Sequence, residues 1–204
     1  MKMLTRNIAA LVVMAFAATA FTPIAEELAE YTIDVQKSEI TWKGKKVTGE
    51  HTGTIELQQG NLLVEDGKLL GGSFTIDMRT ISNTDLAGED KGKLEGHLKS
   101  DDFFGVESHP TATLEITDVK QESDNTYQVT GDLTIKGKTN EIQFPATVST
   151  ESGQVTAEAS ITVDRSEYDV RYGSDSFFDN LGDKVIYDDF QLEVSLVAEN
   201  AVGK

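Results

Sequence analysis

The sequence predicts an all-β protein with one short helix, in which about eight antiparallel strands close into a barrel. Three observations predict it. Apolar and polar residues alternate at every second position in segment after segment, the mark of strands with one dry and one wet face. Most connections are short and contain glycine. Only two stretches, 81–109 and 164–184, interrupt the alternation. Strands with polar outer faces leave no exposed edge once they close on themselves, and about eight is the number whose interior either fills with side chains or holds one slender ligand. Patterning alone leaves a two-sheet sandwich as the alternative.

At the N-terminus, Lys2 and Arg6 precede an apolar run from Ile8 to Ala18, and Ala18-Thr19-Ala20 offers a small-x-small cleavage site. Residues 1–20 therefore read as a secretory signal peptide. The run is too short for the roughly 20 apolar residues of a membrane span. Residues 21–30 read as a tether and 31–198 as one domain, exported to the periplasm or secreted. The whole chain carries 35 acidic and 18 basic residues, a formal charge of −17. Loss of Lys2 and Arg6 leaves 16 basic against 35 acidic, or −19. Such a surface repels phosphate backbones and anionic headgroups, so neither nucleic-acid binding nor stable membrane attachment is expected. Cysteine is absent, which excludes disulfides, thiol nucleophiles and thiolate metal sites.

From Tyr31 the strand signals follow in order. Ser38 to Val47 reads as the first strand, with Ile40 and Trp42 on one face. Thr54 to Val64 places Ile55 and Leu57 in phase and slips near Gln59-Gly60, which predicts a bulge. After Asp66-Gly67, Leu69 to Met78 alternates through Phe74, Ile76 and Met78. Asp85 to Ser100 is polar and helix-compatible, although Gly88, Gly92 and Gly96 each cost about 1 kcal/mol relative to alanine. The adjacent Phe103 and Phe104 are expected to plug an apolar end of the sheet or barrel. Thr111 to Val119 resumes the alternation. Tyr127 to Val148 is a hairpin reversing at Lys136-Gly137-Lys138, with Leu133 and Phe144 inward and Pro145 pointing to an outer position or a bulge. Gln154 to Val163 alternates most cleanly, and its inward Ala157 and Ala159 leave room inside. The last strand, Val185 to Val197, turns Ile186, Phe190, Leu192, Val194 and Leu196 one way.

The candidate lining of that interior is Trp42, Phe74, Phe103, Phe104, Leu133, Phe144, Ala157, Ala159, Tyr168 and Phe190. Inward aromatics also fill ordinary cores, so each has a structural reading beside the ligand-binding one. Arg165 and Arg171 are candidates to meet a polar headgroup at a barrel mouth, or to pair with Asp164, Glu167, Asp169 or Asp175. His51, His97 and His109 lack the spacing of a metal site, and His97 is expected to hydrogen-bond within its loop. No catalytic motif and no cofactor signature is present.

HLKSDDFF and HPTATLEI (His97 to Ile116), YQVTGDLTIKGKT (Tyr127 to Thr139) and ITVDRSEYDVRYGS (Ile161 to Ser174) resemble motifs of the YceI family of exported polyisoprenoid-binding proteins. The resemblance implies a lipocalin-like barrel around an elongated apolar channel holding a polyisoprenoid or a fatty-acid-like amphiphile. It also leaves a homodimer open, through an outer face or the 165 to 184 segment. Strands of about ten residues tilted by about 40° make a barrel about 25 Å tall. Burying roughly fifteen methylenes there gives about 12 kcal/mol of gross driving force before ordering costs. The expected function is thus a lipid carrier. A lipid-modifying enzyme using His97, and an interaction protein for which the barrel is scaffold, are the alternatives.

Overall fold

The computed structural model describes residues 28–200. The expected signal peptide and residues 21–27 of the tether lie outside the described residues. Nine strands and one α-helix follow in order: β1 Leu28–Ile33, β2 Glu39–Lys46, β3 Gly49–Glu65, β4 Lys68–Asn83, α1 Gly88–Lys99, β5 Thr111–Gln121, β6 Thr126–Ile135, β7 Lys138–Glu151, β8 Gln154–Asp164 and β9 Ile186–Asn200. Neighbours pair antiparallel from β2 through β9, and β9 pairs back onto β2. The sheet is therefore a closed eight-place barrel, and the sandwich alternative is excluded.

The ninth strand shares a place. β1 and β2 both lie between β3 and β9, with Tyr31 opposite Leu62 and Asn200, and Trp42 opposite Gly53 and Leu192. Two short strands make one stave. Leu28 to Glu30, expected at the end of the tether, belong to β1, so the expected first strand is in fact the second.

Three of the reversals are two-residue turns with positive φ at both positions: Asp66-Gly67 (49° and 78°), Lys136-Gly137 (51° and 71°) and Ser152-Gly153 (52° and 80°). That twist matches the twist of the flanking strands and fixes their register. Lys138, expected within the reversal, already opens β7 opposite Ile135. The predicted bulge is present, since the β3–β4 ladder slips between Leu57 and Gln59. Pro145 makes no bulge against β6, where it sits opposite Gln128 in unbroken register.

Both irregular insertions lie at the same end of the barrel, here the open end. α1 is docked there through its Glu95, which accepts from Asn83 N at 2.8 Å and Ser82 Oγ at 2.9 Å. β4 runs past its expected end at Met78 to Asn83 because Ser82 and Asn83 pair with Thr54 and Gly53 of β3. At the opposite, closed end Tyr127 (1% exposed), Val155 and Ala198 (both 0%) pack the lumen solid.

Candidate functional site

Between the packed floor and the open end the inward side chains do not meet. They leave an internal cavity of about 200 Å³. Its cause is legible in the residues: Gly44, Ala112, Ala146, Ala157 and Ala159 occupy inward positions where a larger side chain would cross the lumen. The lining runs along β9 from Ile186 to Leu196, about 33 Å of strand. Arg165 and Glu158 are the only charged residues it includes among the described residues, and Glu158 is an exposed residue of the outward set. A wall so largely apolar suits a guest held by burial and dispersion rather than by polar contacts.

Trp42, Phe74, Phe103, Phe104, Leu133, Phe144, Ala157, Ala159 and Phe190 all lie on this wall. Phe103 and Phe104 form the expected plug. Their rings meet edge-on at 5.0 Å, and Phe104 reaches Phe190 at 6.4 Å. Lys136 holds the plug in place: its Nζ donates to the carbonyls of Asp101 and Phe103, both at 2.9 Å.

A model of the YceI-like domain matches residues 31–198. This chain belongs to the YceI-like family. A UPF0312 protein of Pseudomonas putida strain F1 is 33% identical to it over 126 residues, which are 60% of this chain and 64% of the relative. Another, from Pseudomonas aeruginosa strain LESB58, is 36% identical over 83 residues, 37% and 43% of the two chains. The matches thus span less than two thirds of these curated relatives. Among solved structures, Burkholderia cenocepacia BcnA superposes with a TM-score of 0.67 at 24% identity, covering 81% of this chain and 99% of BcnA. A polyisoprenoid binding domain from Saccharophagus degradans, implicated in plant cell wall breakdown, gives 0.61 at 14%, covering 85% and 99%. Both likenesses are of fold.

Other expected site residues of this YceI-like barrel fall elsewhere. Tyr168, expected on the lining, is wholly buried off the cavity in the 3-10 turn Arg165–Tyr168. Its hydroxyl has no hydrogen-bond partner among the described residues, and burial pushes the phenol up to about 12. Arg165 reaches the wall but is 2% exposed. It donates through Nε to Tyr187 O (3.2 Å), Nη1 to Val170 O (2.7 Å) and Nη2 to Ile186 O (2.8 Å), with Asp188 Oδ1 at 3.1 Å. Burial lowers its pKa, and Asp188, Asp164 and Asp175 oppose that. Its fork is committed to the chain, and its ion pair is with Asp188 rather than any of the four acids expected. Arg171 is exposed, pairs with Asp169 as expected, and lies 4.9 Å over the Phe177 ring.

His97 also departs from expectation. Its Nε2 is buried without a partner among the described residues, and its ring packs edge-on against Tyr172 at 4.4 Å and Phe103 at 5.7 Å. Among the described residues no three His, Asp or Glu converge to hold a metal ion. The aliphatic lining, including Ile40, Met78, Leu114 and Leu192, was visible in the alternation as inward. Nothing in a single sequence separates an inward leucine beside a void from one in a packed core.

Proposed function

We propose that this YceI-like protein is an exported carrier that sequesters a long-chain polyisoprenoid, or a fatty-acid-like amphiphile, in its barrel. The observation that carries this reading is the cavity, whose predominantly apolar wall suits a hydrocarbon chain. The polyisoprenoid binding domain with the same fold supports the ligand class. The Lys2, Arg6 and Ile8 to Ala18 pattern supports export to the periplasm or beyond. The acidic surface suits a carrier that does not stay on anionic membranes, and no described helix is long and apolar enough to cross one. Binding rather than catalysis is the role proposed, because His97 packs edge-on against two aromatic rings and its Nε2 meets no acid among the described residues.

Organic extraction of protein purified from its native host, followed by mass spectrometry, tests the proposal. A prenyl or acyl chain is expected in stoichiometric amount. Protein that is consistently empty, and that takes up no such chain when offered one, would reject it.

A further inference from the structure

The barrel wall is not evenly zipped. Registered pairs between β7 and β8 run from Glu151↔Gln154 to Ala146↔Ala159 and stop there. Beyond that point β7 continues to Lys138, still paired with β6, and β8 continues to Asp164, still paired with β9. The two strands therefore part over the five residues of β8 from Ser160 to Asp164, about 17 Å of strand. The fork falls at Pro145, which has no N–H to give a ladder.

Three further features make this parting a framed slot. At the fork itself the inward residues are two alanines, Ala146 and Ala159, so little side chain backs the wall there, whereas farther along the seam Phe144, Ile161 and Val163 are buried behind it. Both belong to the lining of the internal cavity and also to that of an outer groove of about 440 Å³, and Glu158 and Val194 are shared in the same way. The inside and the outside of the barrel thus share four residues at the fork, two of them alanines. Above the slot the 3-10 turn Arg165–Tyr168 bridges back to β7, with Asn140 Nδ2 donating to Glu167 O at 3.0 Å. The ladder closes one end and the turn closes the other. β4 and β5 also part, beyond Ser73↔Glu115, but toward the closed end, where Tyr127 and Leu62 fill the lumen.

We propose that the parted β7–β8 seam, from Pro145 toward the Arg165–Tyr168 turn, is a lateral portal through which a hydrocarbon chain passes into and out of the cavity. The proposal rests on the chain-binding reading above and adds the route. A route through the wall lets an extended chain slide in sideways without displacing the Phe103-Phe104 plug that Lys136 holds. The outer groove is flanked by Glu39, Glu158 and Glu193, so a neutral-headed amphiphile is the appropriate test molecule.

The chain supplies its own reporter, because Trp42 is the sole tryptophan and lies on the cavity wall. Stopped-flow quenching of Trp42 by a dibrominated long-chain alcohol reads arrival of the chain. The chain also lacks cysteine, so paired cysteines can be placed freely. Gln143→Cys with Thr162→Cys, joined by a short bifunctional maleimide, bars the slot. Ser149→Cys with Thr156→Cys joins a pair already in register and serves as the control. The bar is expected to slow quenching by about tenfold or more, with the control bridge changing it less than about twofold. Ala159→Phe, which plugs the fork without a crosslink, is expected to slow uptake and release together.

Quenching at the unmodified rate in both the barred protein and Ala159→Phe would overturn the portal while leaving the carrier reading standing. No quenching in the unmodified protein would overturn the carrier reading, and the portal with it.

Discussion

Gly53 shows how tightly one position can be determined. It sits opposite Trp42, whose indole Nε1 donates to Thr54 O at 3.2 Å, so the ring lies across the glycine. A Cβ at Gly53 would stand 1.9 Å from Ser82 O and 2.4 Å from Trp42 Cζ2. Gly53→Ala is therefore expected to destabilise by about 1–3 kcal/mol in urea unfolding and to shift Trp42 emission. Gly44→Ala, whose Cβ would meet nothing within 4 Å, should stay within about 0.5 kcal/mol. Asp85 makes a second test. Burial opposes its ionisation, but the Thr52 N–H, His51 and Asn83 outweigh that and hold its carboxyl at about 2. A carboxylate depressed in the folded state adds stability above its unfolded value of about 3.9, and that share is lost as pH falls through the folded value. The stability gap between wild type and Asp85→Asn, read from urea midpoints, should accordingly shrink between about pH 5 and about pH 2.

At the scale of elements, the second insertion depends on Arg165. Its guanidinium collects the carbonyls of Val170, Ile186 and Tyr187 and faces Asp188, whose Oδ2 accepts from Ser174 and Ser176. Arg165→Ala leaves those groups unpaired in a buried place and should cost about 3–5 kcal/mol, with faster amide exchange through residues 170–186. Arg165→Lys should not rescue it, since one ammonium cannot span the fork. Such contacts explain which elements were legible in advance. The regular strands announced themselves because alternation and glycine turns are local signals, as in Val155 to Val163 and at Gly137. β1 was missed because Leu28 to Ile33 is held by partners at Asn61 to Glu65 and Ala198 to Asn200, far along the chain. The headgroup role for Arg165 misjudged burial, because nothing near Arg165 in sequence shows that its partners come from Tyr187 and Asp188. Tyr168 is buried off the cavity, and no local pattern in the sequence marks it, whereas Phe103 and Phe104 stand out as paired aromatics in a polar connection.

For the molecule as a whole, packing is uneven by design of the sequence: solid at the floor, hollow above it. Ala157→Phe should fill part of the hollow, leaving the empty protein folded but unable to take a chain. Calorimetry distinguishes this from simple damage. Wild type at a ligand concentration about a hundredfold above Kd should gain about 2.7 kcal/mol, and the variant should gain almost nothing at the same concentration. Equal gains for both would place the guest somewhere other than the lumen.

Ring closure is made by β9, which pairs with β1 and β2 from the far side of the sequence. Until the fifteen-residue strand Ile186–Asn200 is available to pair, the earlier strands must wait with their edges bare. Assembly is thus a late, all-at-once event dominated by distant contacts, which slows folding and leaves the nascent polypeptide open to edge-to-edge association. A holding chaperone that shields those edges is therefore expected to raise the yield of folded protein.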